Sequence, residues 1–230
     1  MQGHVSILSV SPEAAAMIAS GGRISTMDGT ADEIYANSLS AGQEKNEKLI
    51  GKVLSSGHTS VLEHCYVNLS FENVSALAEQ FLIEFRLASF TVKSRRYVDF
   101  SKAGYVSPVF TANVQMAIFE RTVESLFGTY DVLEAAGVPK EDARFVLPYC
   151  FCSNFFCSMN ARELVHVMNE LAYGRGSRIP ELRALGESLF AQCEQQIPFL
   201  AVRKPEAYRQ SDAFCLRQVR LLTSKAPVTV

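Results

Sequence analysis

Hydrophobic and polar positions along the chain change period several times, and each change marks an element. Residues 4–10 (His4-Val5-Ser6-Ile7-Leu8-Ser9-Val10) are rich in branched side chains and stop short of Pro12, as a first strand does. A weakly helical stretch follows, and Gly21-Gly22 predicts a break in it. From about Ala31 to Ser55 the spacing is helical, with Ser55-Ser56-Gly57 as the stop. Residues 64–74 alternate: Cys65, Val67, Leu69 and Phe71 share one side, Tyr66, Asn68, Ser70 and Glu72 the other. That is the pattern of a half-buried strand. The spacing then becomes 3 and 4. Val74, Leu77, Ala78, Phe81, Leu82 and Phe85 predict an amphipathic helix, with Glu79, Gln80 and Glu84 on its polar side.

Beyond Pro108 comes the longest predicted helix. Its stripe is Met116, Phe119, Val123, Leu126, Phe127, Tyr130 and Leu133, and Gly137 is placed to end it. Pro139 opens a short helix to Leu147, and residues 149–159 read as an extended, largely buried segment. Asn160 is a good N-cap for a helix whose apolar stripe is Ala161, Leu164, Val165, Met168 and Leu171. Gly174 and Gly176 break it, and Pro180 fits the first turn of a last long helix. Strands and helices mix without a regular alternation, there is no internal repeat, and the fold class expected is α+β. It takes the form of a small mixed sheet with long helices in one domain over residues 1–230.

Charge narrows the function. Twenty-two basic against twenty-four acidic residues leave −2, so no global field draws the chain to nucleic acid or a membrane, and any anion site is local. No window approaches the run of about 18 apolar residues that a membrane span needs. Met1-Gln2-Gly3-His4 lacks the basic start of a signal peptide, so a cytoplasmic location is expected. The six cysteines form no Cys-x-x-Cys pair, and with only four histidines no metal site is expected. Cys150 and Cys152 lie in an apolar run, where cysteine acts as a small hydrophobe.

Three constellations carry candidate chemistry. Gly57-His58-Thr59-Ser60-Val61-Leu62-Glu63-His64 puts imidazoles, hydroxyls and a carboxylate into a connecting loop. Read locally it is also a capped turn, since Ser60 and Glu63 are spaced as a capping box. Arg86, Lys93, Arg95 and Arg96 place four cations within eleven residues, enough to neutralise a phosphate monoester, with Ser94 as a neutral donor; an exposed basic loop would look the same. On the helix after Asn160, Arg162, His166 and Asn169 fall at i, i+4 and i+7. They form a polar stripe opposite the apolar one, at an N-terminus suited to an anion.

Taken in order, these segments resemble the flavin-dependent thymidylate synthases over roughly residues 20–200. Gly57 to His64 resembles that family's G-H-x-[ST]-x-x-E-H segment. Arg86-Leu87-Ala88-Ser89-Phe90-Thr91-Val92-Lys93-Ser94-Arg95-Arg96-Tyr97 resembles the latter part of its R-H-R-x-x-S-x-N-x-x-S-x-R-Y signature. Ala143 to Pro148 matches A-R-x-x-L-P, Asn160 to Leu164 matches N-x-R-x-L, and Pro180-Glu181-Leu182-Arg183 resembles a following E-I-R. The resemblance implies a homotetramer with active sites built across subunits, in which FAD serves methylation of dUMP to dTMP. Methylenetetrahydrofolate would supply the carbon and NADPH the reduction, with no enzymic cysteine nucleophile. It implies that His58, Ser60, Arg86, Asn160, Arg162 and His166 hold FAD. Ser94, Arg95, Arg96 and Arg144 would surround dUMP and its phosphate, with Tyr97 supporting that loop.

Five positions depart from the family pattern. The signature's first two residues, Arg and His, are Glu84 and Phe85; its Asn is Thr91 and the neighbouring glutamate is Val92. The helix arginine that polarises uracil falls on Leu171, with Arg175 or Arg178 as candidates to replace it. Three functions fit this pattern: a dUMP methylase, a flavin enzyme acting on another pyrimidine nucleotide, and a non-catalytic nucleotide-binding paralogue.

Overall fold

In the computed structural model, which describes residues 3–223 and their side chains as far as Val219, the alternating segments become strands. β1 (His4–Val10), β2 (Tyr66–Ser75), β3 (Ala88–Val92) and β4 (Cys152–Asn160) form one sheet in the order β1-β2-β4-β3. The alternation of β2 is realised except at Ser70: Val67, Leu69 and Phe71 are fully buried and Tyr66, Asn68 and Glu72 face out, while Ser70, expected on the outer side, is buried as well. The helices are α1 (Ala14–Arg23), α2 (Ala31–Ala41), α3 (Gln43–Ser55), α4 (Ala76–Leu82), α5 (Asn113–Ala135), α6 (Lys140–Ala143), α7 (Ala161–Ala172), α8 (Pro180–Gln196) and α9 (Pro205–Thr223). One small sheet with long helices is the α+β class that the pattern predicts. No described helix is long and apolar enough to cross a membrane.

The chain divides into two compact units. The first is the chain up to Ser6 with Leu69–Ser158, and the second is Ile7–Asn68 with the chain from Met159 on. In the first unit, Ala76, Phe100, Tyr130, Ala143 and Phe151 form a buried cluster, with Phe127, Leu133 and Leu147 packed against it. Phe71 of β2 stacks on Phe155 of β4 with centroids 4.7 Å apart, a pair that favours this register beyond its area. α5 is the longest helix, as its stripe predicts, and Gly137 ends it at φ 83°, where a side chain would be strained.

The second unit is helical around α7 and α8. Leu164, Met168, Leu171, Leu189 and Phe190 are wholly buried there. A polar clasp ties α1 to its neighbours: Arg23 Nη1 donates to Ser38 Oγ and Asn46 Oδ1, both at 2.7 Å, and Asn46 Nδ2 donates to the Ser38 carbonyl at 2.8 Å. Ser38 and Asn46 are buried, so each needs these partners.

The chain corrects four expectations of the periodicity. Gly21-Gly22 does not break α1. A Cβ at Gly21 would lie 3.1 Å from His64 Cδ2, and one at Gly22 would lie 3.1 Å from Val53 Cγ2, so the pair lets the helix pack closely. The 31–55 helix is two helices, because Gly42 turns the chain at φ 79°. α4 keeps most of its predicted stripe, with Val74, Ala78, Leu82 and Phe85 buried, but two positions are exchanged: Glu79 is 1% exposed and Leu77 is 42% exposed. Finally, α8 is not the last helix, since Pro205 starts α9.

α7 and α8 approach closely at Gly186, where a Cβ would stand 2.7 Å from Leu171 Cβ and 2.9 Å from the Ala172 backbone nitrogen. Gly186→Ala should therefore destabilise the protein by about 1–3 kcal/mol through overpacking. A thermal melt checks this, at roughly 2–4 °C per kcal/mol for a chain of this size; an unchanged midpoint would show that the crossing can widen freely.

Candidate active site

In the first unit, the predicted nucleotide cluster forms around a buried carboxylate. Ser75 caps α4 by accepting from the Ala78 amide at 3.0 Å, which sets the helix so that Glu79 points inward. Arg95 reaches from the loop after β3 and donates Nη2 to both Glu79 oxygens at 2.7 Å. Ser153 Oγ of β4 donates to Glu79 Oε2, and Gln80 Nε2 donates to Oε1 at 3.2 Å. The Arg95 guanidinium lies 4.9 Å from the Phe151 ring centroid, a cation–π seat.

Arg144 and Arg96 both use Glu141. Arg144 Nε donates to the Glu141 carbonyl at 2.9 Å, and Arg96 Nε donates to Glu141 Oε2 at 3.2 Å. Ser94 Oγ accepts from the Arg96 amide at 3.3 Å, closing the turn that Tyr97 follows. Arg95 and Arg144 line one cavity of about 250 Å³, together with Gln80, Phe145, Tyr149 and Phe151. Phe145 and Tyr149 expose most of their rings there, and the Arg144 guanidinium sits 5.6 Å from the Phe145 centroid. The structure thus gathers Ser94, Arg95, Arg96 and Arg144 locally.

The remaining candidates are dispersed or already engaged. Arg86 lies on the turn before β3, exposed and without a side-chain partner among the described residues. Glu84 is exposed and Phe85 is buried, edge-on to Phe81 at 5.8 Å, so the altered signature start gives one surface charge and one core residue. In the second unit, Asn160 caps α7 by accepting from the Glu163 amide at 2.9 Å. Arg162 pairs with Glu63 across exposed surface, and the Ala161 amide donates to the Cys65 carbonyl at 2.8 Å. His58 and Ser60 are exposed on and before a 3-10 turn (Thr59–His64). Ser60 and Glu63 form no capping box, since Ser60 lies inside the tight turn that His58 precedes and the Glu63 carboxylate goes to Arg162.

The predicted polar stripe on α7 is a graded one. Arg162 is exposed, His166 half-buried and Asn169 fully buried. Asn169 Nδ2 donates to the Val165 and Val202 carbonyls, both at 2.8 Å, and its Oδ1 accepts from the Lys204 amide at 2.6 Å. His166 Nδ1 is 2.8 Å from the Tyr208 hydroxyl of α9. Arg178 forks onto Asp212 of the same helix. Leu171 is core. A second cavity of about 510 Å³ lies in this unit, lined by Leu54, Thr59, Leu62, Val165, Phe199 and Lys204 among others.

Glu79, Tyr208 and Asp212 are the polar partners that sequence reasoning missed. Glu79 carried a signal, because it falls three residues after Ala76 and three before Leu82, in phase with buried positions. Burial raises the Cys65 and Cys150 thiols above the ordinary range and pushes Cys193 up to about 12.

Comparison with known proteins places this geometry. A family model for the thymidylate synthase complementing protein matches residues 6–199. A flavin-dependent thymidylate synthase of Nitratidesulfovibrio vulgaris is 31% identical over 209 residues, covering 86% of this chain and 84% of the relative. The chain belongs to the flavin-dependent thymidylate synthase family. A Geobacter sulfurreducens flavin-dependent thymidylate synthase is 34% identical over 166 residues, 70% of each chain. Among solved structures, the UMP/dUMP methylase PolB of Streptomyces cacaoi, bound with 5-Br dUMP, aligns with a TM-score of 0.70. At 21% identity, over 87% of this chain and 93% of that one, it shares the fold. The family match ends before α9, so Tyr208 and Asp212 lie outside the matched residues 6–199.

Burial, with help from Glu170 and Glu163, pushes the Tyr208 hydroxyl up to about 12. A folded-state value above the ordinary one near 10 gives stability that is complete below pH 10 and lost as pH rises through 12. Ultraviolet titration of the folded protein should show a late tyrosine step near 12 that Tyr208→Phe removes; an identical curve for the variant would place Tyr208 in water.

Proposed function

We propose that the chain is a flavin-dependent methylase of a uracil mononucleotide, with dUMP as substrate, FAD as cofactor, and methylenetetrahydrofolate and NADPH as carbon and electron donors. The observation that carries this is that Arg95 and Arg144 line one small cavity with exposed aromatic rings at its rim, while Arg96 reaches the same Glu141 that holds Arg144 and Ser94 closes the Arg96 turn. Arg144 has no carboxylate partner among the described residues and keeps its terminal fork for a phosphate, the geometry in which guanidinium binds best. At about 250 Å³ the cavity is below the roughly 300–1,000 Å³ of drug-sized clefts, which suits part of a mononucleotide and excludes a dinucleotide. Tyr149 and Phe145 offer flat faces for a base.

For FAD, the donor set at the start of α7 fits the anionic part of a dinucleotide. A twelve-residue helix opens there with Asn160 as its cap and Arg162 in its first turn, close in sequence to His166, while Ser60 and His58 ride the turn that Glu63 links to Arg162. The Arg162–Glu63 pair is half-exposed, and such pairs are worth about 0–1 kcal/mol, so a pyrophosphate can displace the carboxylate. Arg86, with no side-chain partner among the described residues, is assigned to FAD by the family resemblance alone. FAD, when bound, supplies the redox chemistry that a methyl transfer ending in dTMP requires. The chain's own part is to hold phosphates on Arg144 and Arg162, to offer the His58 imidazole beside the ligands, and to contribute no thiol.

The purified protein should be yellow or become so with FAD. Glu63→Gln should tighten FAD binding by several-fold, because it removes the carboxylate that competes for Arg162; looser binding, measured by flavin fluorescence quenching, would separate Arg162 from the flavin. Arg144→Ala should weaken dUMP by at least tenfold, as loss of a charge-assisted hydrogen bond of about 1.5–3 kcal/mol implies. Calorimetric titration giving equal affinity for the variant would remove Arg144 from the site.

A further inference from the structure

The two guanidinium groups in the 250 Å³ cavity are in opposite electrostatic states. Arg95 gives a single nitrogen, Nη2, to both oxygens of Glu79, a carboxylate that is 1% exposed, so its charge is cancelled where it sits. Arg144 gives its Nε to a neutral carbonyl and keeps its charge. The first group has little pull on a dianion, yet its remaining N–H bonds are held in a fixed direction by Glu79 and by the Phe151 ring beneath. Among the described residues its Nη1 carries no hydrogen bond and keeps its donors, and its buried Nε has no partner either.

We propose that Arg95 is the specificity-determining group of this cavity, reading a neutral carbonyl on the base of a nucleoside monophosphate, with Glu79 and Ser153 as its positioning residues. The proposal rests on the mononucleotide reading above and names the side of the ligand that each cation takes. A guanidinium presents donors only. Facing the C4 edge of a pyrimidine, it pairs with the O4 carbonyl of uracil and opposes the amino group that cytosine carries at that position, donor against donor. Glu79 serves twice: it fixes the fork, and by cancelling the charge it stops phosphate from binding at the base end. A ligand with one anionic end and one carbonyl-bearing ring then fits in a single orientation.

The test is calorimetric titration of the whole protein with dUMP, dCMP and inorganic phosphate. The wild type should prefer dUMP over dCMP by about tenfold or more, the scale on which sites with directed hydrogen bonds discriminate. Arg95→Gln, which offers an acceptor as well as a donor, should bring that ratio close to one while phosphate affinity stays. Glu79→Gln should also lower the ratio, but raise phosphate affinity in a salt-dependent way, because it uncovers the Arg95 charge. A merely structural loss would weaken all three ligands together. If Glu79→Gln does not fold, Ser153→Ala, which removes one donor to the same carboxylate, should lower the ratio in the same direction. A ratio unchanged by Arg95→Gln, or a parallel fall in phosphate affinity, overturns the assignment. Wild-type protein that binds dUMP and dCMP equally overturns it as well, and leaves the mononucleotide site standing. Wild-type protein that binds neither nucleotide overturns the mononucleotide reading itself.

Discussion

A carboxylate removed from water must be met by its neighbours or lose its charge, and in the first unit that constraint falls on Glu79. Ser75 sets the start of α4, α4 turns Glu79 inward, and Glu79 draws Arg95, Gln80 and Ser153 to itself. Three separate stretches of sequence are held by one side chain. The loop that carries Ser94 and Arg96 therefore has a fixed root, and the cavity walls inherit it. Such a pair is weak evidence for net stability, since desolvation offsets most of its attraction, but breaking it from one side is costly. Its value here lies in placement.

Much of the fold was legible in the residues, for reasons that particular elements show. β2 alternates because one face packs on Phe155 and the other meets solvent, and a period of two states that directly. α5 and α7 carry long stripes with an end signal or a cap, Gly137 and Asn160, and both formed as read. α4 buried Ala78 and Leu82 as read but misled at Glu79, where a buried ion pair takes a polar residue inside, and at Leu77, which stays exposed. Gly21-Gly22 misled for a different reason. Glycine weakens a helix locally, yet it also admits a neighbour, and only the packing against His64 and Val53 tells which effect rules.

The site was legible to a lesser degree. The ordered motifs pointed to Ser94, Arg96 and Arg144; Arg96 and Arg144 both meet Glu141, Ser94 closes the Arg96 turn, and Arg144 lines the cavity with Arg95. What spacing does not convey is occupancy. Arg162 is held by Glu63, His166 by Tyr208, Arg178 by Asp212, and Asn169 is consumed in tying down the chain at Val202 and Lys204. α9 supplies two of those partners from beyond the family-matched segment, where no motif announces it. Partners distant in sequence decide which polar groups remain open to a ligand.

Glu141 holds Arg144 by its backbone carbonyl and Arg96 by its side chain. The Arg144 side chain is thus tied to one short helical turn, α6, while Arg96 comes from the loop after β3 and meets that turn only through a half-exposed ion pair worth about 0–1 kcal/mol. A shift of that turn carries Arg144 with it and pulls only weakly on Arg96, so the spacing of the two cations is adjustable. Substitutions in the exposed α6 surface, remote from any ligand, can then retune reach without altering a single contacting group.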